Sequence, residues 1–382
     1  MLTMRLALVG TSNSVLKEGF STALASSSLV SALGNFSIGA SSSVHVVKST
    51  SGVDFSVYDF CLFDFAVNED VLLRNGATSP DQVRHNLDYL VTRCLQAGCL
   101  PVIVVFPKPI KAEVSESRDF YLEYARSLHL PCFDGYEALE YLGEKHGLTL
   151  DQLFLDKTHV KPWVARFFAD TILESLQRLV SKKGETVPGH CQAAVLDQIA
   201  LSSIDLISDD HVYRQNTKFQ DAFCILRNDG YLEVDIPDPH ASVMGICVNL
   251  AKTSCILSIE GVHSCLIDLR NGYFENSKIK LTISMLPLRY SIQPKDGKVK
   301  LRFVSVNELG KVPIPMQGVL GQPAQSAPKN ILEISRLLIQ KSESISVNKV
   351  PAPQLYRNLF ADCEEDRREA LFQKQHAVSA SV

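Results

Sequence analysis

The sequence predicts an α/β parallel sheet sandwiched by helices, followed by an all-β sandwich and a proline-rich, partly helical C-terminal segment. Three observations carry this expectation. Up to about residue 185, short continuous apolar runs alternate with segments of helical period, the pattern of parallel strands covered on both faces. From about 190 to 308 the apolar residues alternate with period two between turn signals, as in an antiparallel sandwich or jelly roll. Six of the 17 prolines then fall between Pro313 and Pro353. The expected divisions are 1–185, 186–310 and 311–382.

The elements follow in order. Leu6 to Val9 reads as a buried first strand entering a glycine turn at Gly10, with a helix near Val15–Ala25. Tyr58 to Phe65 is a second apolar strand. Val83, Leu87, Leu90, Val91 and Cys94 recur at three- and four-residue spacing, one face of a helix, and Gly98 suits its C-cap. Pro101 to Phe106 is the next strand, followed by a helix around Arg118–Leu128 and a short strand near Pro131–Phe133. Trp163 to Val180, after Pro162, carries an apolar stripe of Val164, Phe167, Phe168, Ile172, Leu176 and Leu179. In the sandwich the expected strands are Tyr231–Ile236, Val243–Leu250, Cys255–Ile259, Cys265–Leu269, Lys278–Met285 and Lys298–Phe303. The last segment reads as an extended linker, interrupted by a helix at Ile331–Gln340 and ending in a charged helix over Leu355–Gln373.

Composition narrows the classes of function. The 382 residues carry 38 Lys and Arg against 42 Asp and Glu, a formal charge of -4. This balance leaves no electrostatic footprint for nucleic acid or an anionic membrane. No stretch reaches the ~18 uncharged apolar residues of a spanning helix, and the opening residues lack the long apolar core of a secretory leader. The 10 cysteines are spread singly through apolar runs with no CxxC. They read as small buried hydrophobes, so a zinc ribbon is unsupported and a reducing, cytoplasmic compartment is expected. His45, His85, His129 and His146 have no partner at metal-ligand spacing and read as surface or capping residues.

Four short segments can carry chemistry. Gly10-Thr11-Ser12-Asn13-Ser14 lies between the first strand and a helix, at the sheet edge where such folds place ligands. Ser12 there is either a nucleophile or an ordinary N-cap. Asn35-Phe36-Ser37-Ile38-Gly39 offers a glycine N–H that a ligand can approach closely, or a plain turn. Ala66-Val67-Asn68-Glu69 follows the second strand, and the Asn68 amide can donate to an oxyanion or cap the next segment. Asp156-Lys157-Thr158-His159 spaces a carboxylate three residues before an imidazole. That spacing can hold the ring from Nδ1 and free Nε2 as a base, or simply cap the following helix.

In this order the four segments resemble the Ser, Gly, Asn and DxxH blocks of the SGNH (GDSL-type) hydrolases, over residues 4 to about 182. The resemblance implies a flavodoxin-like parallel sheet and a serine esterase that needs no cofactor. It makes Ser12 the nucleophile, His159 the general base and Asp156 the residue that orients it. The oxyanion hole would combine the N–H of Ser12, the N–H of Gly39 and the Asn68 side-chain amide. Thr11, Ala66 and Glu69 depart from the usual Asp, Gly and Asp of these blocks. The resemblance, with the added β-sandwich, points by analogy to an O-acetylated carbohydrate or another small ester as substrate. An O-acyltransferase with acetyl-CoA as donor and a polysaccharide hydroxyl as acceptor would use the same acyl-enzyme. A non-catalytic glycan-binding or assembly protein is the reading of another class.

Overall fold

The computed structural model describes residues 2–201, 211–215, 220–228, 230–275, 277–309, 316–317 and 324–380. Its first part is a parallel sheet of β1 (Met4–Gly10), β2 (Val30–Asn35), β3 (Phe60–Asp64), β4 (Leu100–Val105) and β5 (Cys132–Asp134) in the order β2-β1-β3-β4-β5. The run Phe60-Cys61-Leu62-Phe63-Asp64 is buried at every position because both faces are covered. Leu6, Leu8 and Phe60 meet the helices Phe20–Ser26 and Pro162–Leu179 on one face. Ala7, Val9 and Cys61 meet Pro80–Gln96 and Glu116–Ser127 on the other. The Pro80–Gln96 helix begins with a capping box of Ser79 and Gln82 and proline in its first turn, and Gly147 at φ +66 ends the Gly135–His146 helix. The expected strands and the three long helices of this part therefore stand, but the helix expected near Val15–Ala25 begins only at Phe20, and β2 and the helices Ala66–Arg74 and Gly135–His146 are additions.

The second part holds β6 (Thr186–Ala200), β7 (His211–Gln215), β8 (Gln220–Arg227), β9 (Tyr231–Asp235), β10 (Ser242–Asn249), β11 (Ile256–Glu260), β12 (Ser264–Asp268), β13 (Ile283–Ile292), β14 (Lys298–Phe303), β15 (Met316–Gln317) and β16 (Ile331–Pro351). One sheet runs β13-β10-β16-β8-β7 with β6 also on β16; the other runs β15-β12-β11-β14-β9. Pairing is antiparallel except between β12 and β15. Val243, Ile246 and Val248 of β10 face Leu257, Ile259 and Leu301 of the second sheet in the sandwich core. Met244 and Cys247, from the same strand, join the core of the α/β part. The first sheet is thus buried on both faces and cements the two parts together.

This double burial corrects two expectations for the C-terminal segment. Ile331–Gln340 is not a helix, and residues 331–351 are not linker: β16 is a strand of 21 residues paired with β10, β8 and β6. Its Leu332, Ile334, Leu337, Leu338 and Ile339 are buried between two layers, so their helix-like spacing reflects apolar density on both faces. Of the rest of the expected linker, residues 311–315 and 318–323 lie outside the described residues. The charged helix begins later than expected, at Glu365–Ala380. Leu359, Phe360 and Phe372 return to the α/β core, and Asn358 makes a parallel bridge with Cys132 beside β5. Lys278–Thr282 lies ahead of β13, which takes up only Ile283–Met285 of the expected strand and is buried at every position as far as Leu288.

Among the described residues no helix is long and apolar enough to cross a membrane, and all 10 cysteines are buried and outside any disulfide. Phe168 packs its ring 5.7 Å from Phe106 and 5.0 Å from Phe133 and is fully buried. Phe168→Ala is expected to cost about 3–5 kcal/mol through lost burial and a residual cavity. A urea titration followed by tyrosine fluorescence checks this as a lowered midpoint.

Candidate active site

The carboxyl ends of β1 and β3 meet at the register pair Gly10–Asp64. A Cβ at position 10 would lie 2.6 Å from Ser14 Oγ and 2.9 Å from Asp64 Cβ, so this approach requires glycine. The chain then turns through a 3₁₀ segment, Ser12–Ser14, in which Asn13 and Ser14 are buried and Ser12 is half-buried. Asp64 Oδ2 accepts from Ser14 Oγ at 2.7 Å and anchors the turn from below.

The DxxH segment forms a second turn at the same edge. Asp156 Oδ1 accepts the backbone N–H groups of Thr158 at 2.8 Å and His159 at 3.0 Å. Its Oδ2 lies 2.8 Å from His159 Nδ1. Leu155 N–H donates to the His159 carbonyl at 2.8 Å, and Pro162 opens the next helix. Donating Nδ1–H to Asp156 leaves the lone pair of the neutral ring on Nε2. That Nε2 is buried and has no hydrogen-bond partner among the described residues. Burial raises the Asp156 carboxyl, but hydrogen bonds from the His159 ring and the Thr158 backbone outweigh it and hold the group below its ordinary value.

Asn13 ties the two turns together: its Nδ2 donates to the Thr158 carbonyl at 3.1 Å across 145 residues. Ser12 and His159 are thereby neighbours of a direct bond, although no hydrogen bond joins their own side chains among the described residues. Gly39 lies against Ser12, since a Cβ there would be 3.9 Å from Ser12 Cα. Asn68 stands in the first turn of the Ala66–Arg74 helix and donates Nδ2 to the Ser41 carbonyl at 2.8 Å. This bond uses one amide hydrogen and joins the Asn block to the loop that carries Gly39. Asp156 and His159 are thus in direct contact, and Ser12, Gly39 and Asn68 are linked through Asn13 and Ser41.

Three buried groups behind these turns escaped the sequence reading. His45, expected at the surface or as a cap, is fully buried, with Nε2 2.8 Å from the Gly10 carbonyl and Nδ1 2.9 Å from Ser49 Oγ. Burial lowers it to about 4, against the hydrogen bond to Gly10. Glu69 turns the departure from the usual Asp into a reach: its Oε1 accepts the Ser43 N–H at 2.6 Å. Burial raises Glu69 to about 7 and likewise raises Asp64 to about 7, in each case against serine hydrogen bonds. A lone His and single acids inside or beside apolar runs carry no periodic signal. Among the described residues no group of three or more His, Cys, Asp or Glu could hold a metal ion.

Between its unfolded value of 4.5 and about 7, Glu69 holds a proton in the folded chain that the unfolded chain has released. Its contribution to stability is therefore full below 4.5 and is lost as pH rises through about 7. Asp64 acts in the same sense, whereas His45, neutral when folded, loses stability as pH falls from 6.5 toward about 4. Glu69→Gln removes one such titration. Urea melts at several pH values should show the variant gaining on the wild type by about 1–3 kcal/mol between pH ~5 and ~8. Parallel profiles would mean that Glu69 ionises normally.

No protein-family profile matches the chain, and no curated protein matches its sequence. Solved structures do match its fold. A two-domain esterase active on acetylated mannans, co-crystallised with mannopentaose, aligns with a TM-score of 0.58 and 11% identity, covering 89% of this chain and 91% of that one. Another structure of a two-domain esterase active on acetylated mannans aligns at 0.55 and 12% identity, covering 89% and 92%. The alignments run through both the parallel and the antiparallel parts. The chain shares the fold of these two-domain esterases, a parallel α/β sheet joined to antiparallel β-sheets.

Proposed function

We propose that the chain is a serine hydrolase of acyl esters that removes O-acetyl groups from a carbohydrate. The observation that carries this reading is the Asp156–His159 pair, which leaves a buried, unpartnered Nε2 beside the Ser12 turn. A serine hydroxyl alone is a poor nucleophile, and such a base is what activates it. Ser12 Oγ attacks the acyl carbonyl while His159 Nε2 takes its proton. The oxyanion that forms receives the N–H of Ser12, the N–H of Gly39 and the second amide hydrogen of Asn68. Collapse breaks the ester C–O bond, and His159 returns the proton to the departing sugar oxygen. Water then attacks the acetyl-Ser12 carbonyl, giving its proton to His159, and acetate leaves as Ser12 recovers its hydroxyl hydrogen. The missing Ser12–His159 bond is compatible with this, because catalytic hydrogen bonds often tighten only with substrate present. The fold shared with esterases active on acetylated mannans supports an acylated polysaccharide as the alcohol portion.

Release of acetate from an aryl acetate and from acetylated mannan tests the reading. Ser12→Ala is expected to lower kcat by on the order of 10⁴–10⁶. Wild type no more active than this variant, and unlabelled by a fluorophosphonate, would leave the non-catalytic glycan-binding reading. Acylated sugar in excess over acetate when an acceptor sugar is added would instead favour transfer.

The supporting groups rank below the nucleophile. Asn68→Ala is expected to lower kcat by ~10²–10³ as one oxyanion donor is lost. Asp156→Asn, which disturbs the His159 tautomer, is expected to lower it by on the order of 10⁴. Steady-state kinetics on the aryl acetate check both, and an Asn68→Ala enzyme at full rate would remove that residue from the oxyanion hole.

A further inference from the structure

The loop that carries Gly39 does not hold itself. Ala40 sits at φ +56, a left-handed conformation that a residue with a Cβ keeps only when its surroundings impose it. Those surroundings are the β part. The fully buried Ser284 of β13 donates its Oγ–H to the Ala40 carbonyl. Met285 N–H donates to Ser41 Oγ at 3.1 Å, and Ser41 Oγ lies 3.5 Å from the Gly39 carbonyl. Ser42 N–H reaches back to the Met285 carbonyl at 3.5 Å. Val44 packs beside Gly245 of β10, where a Cβ would come within 3.2 Å of it. From the α/β side, Asn68 holds the Ser41 carbonyl and the Ile38 N–H donates to the Gly10 carbonyl at 3.0 Å.

We propose that Ser284 is a positioning residue for the oxyanion hole. With the Met285 backbone it fixes the Ala40–Ser41 peptides and so aims the Gly39 N–H beside Ser12. The inference rests on the hydrolase reading above and deepens it: the β part completes the active site, whatever else it binds. Gly39 lies between two held groups, the Ile38 N–H on the Gly10 carbonyl of β1 and the Ala40 carbonyl on Ser284 of β13. Glycine has no side chain of its own to limit its dihedrals, so the outer clamp decides where its N–H points. A donor displaced by a fraction of an ångström loses the transition state more than the bound ester, so the effect belongs in kcat.

The test uses the whole chain and p-nitrophenyl acetate, whose small alcohol portion asks nothing of a sugar site. Ser284→Ala is expected to lower kcat by ~10–100-fold with KM changed by less than about 2-fold. Ser284→Thr keeps the hydroxyl and is expected to restore kcat to within about 3-fold. Ser335→Ala removes an equally buried hydroxyl from β16 of the same sheet, one with no hydrogen bond to residues 39–42, and leaves kcat unchanged. Should Ser284→Ala fail to fold, Ser41→Ala cuts the link from Met285 to Gly39 and is expected to lower kcat in the same way. Full kcat in the folded Ser284→Ala or Ser41→Ala chain, or an equal loss in Ser335→Ala, overturns the proposal while the hydrolase reading stands. A wild type that matches Ser12→Ala and takes no fluorophosphonate overturns both.

Discussion

The contact from which the site grows is the pairing of Gly10 with Asp64 at the carboxyl ends of β1 and β3. Two neighbouring parallel strands end at the same level there, and the missing Cβ lets Ser14 bond Asp64 directly. The chain leaving β1 must turn at once into the Ser12 segment, and the chain leaving β3 enters the helix that carries Asn68. The price is a carboxyl buried without a counter-charge, which burial drives toward its neutral form. Asp64 Oδ1 and Glu69 Oε2 both lack partners among the described residues, so the floor of the site is polar, buried and incompletely satisfied. Such a floor is stable only because the apolar layers on both sides of the sheet are well filled.

The second constraint comes from the other part of the chain. The β13–β10–β16 sheet buries one face against the sandwich and the other against the α/β part, so it cannot move without opening a shared core. Its edge strand β13 meets the loop after Gly39 through hydrogen bonds to residues 40–42. Rigidity thus passes from a large apolar interface to a single loop beside Ser12. An appended β part that merely tethered a ligand would not need to grip residues so near the proposed nucleophile.

Much of this was legible in the sequence, for physical reasons. The central parallel strands β3 and β4 read as nearly continuous apolar runs because both faces are covered, and Ser12, Gly39, Asn68, Asp156 and His159 fall in order near strand ends and turns. The Asp156–His159 contact was one of the two readings that the spacing allowed, since three residues span one tight turn. What stayed hidden depends on partners far along the chain. The apolar run at 331–340 has the spacing of a helix, and only its pairing with β6, β8 and β10 makes it a strand. Nothing local marks Ser284 as the partner of Ala40, or Asn13 as the partner of Thr158, across 145 residues in the latter case. His45 looked like a surface residue because a lone histidine has no periodicity to betray its burial.

In the proposed hydrolase, Ser12, His159, Gly39 and Asn68 converge on one reacting carbon. A crystal structure of the full chain after reaction with an alkyl fluorophosphonate tests it most directly, because the tetrahedral phosphorus mimics that carbon. Phosphorus is expected bonded to Ser12 Oγ, with the phosphoryl oxygen about 3 Å from the N–H groups of Ser12 and Gly39 and from Asn68 Nδ2. His159 Nε2 should lie within hydrogen-bond reach of Ser12 Oγ or the leaving oxygen. An adduct on another residue, or on Ser12 with its oxygen turned away from Gly39 and Asn68, would contradict it.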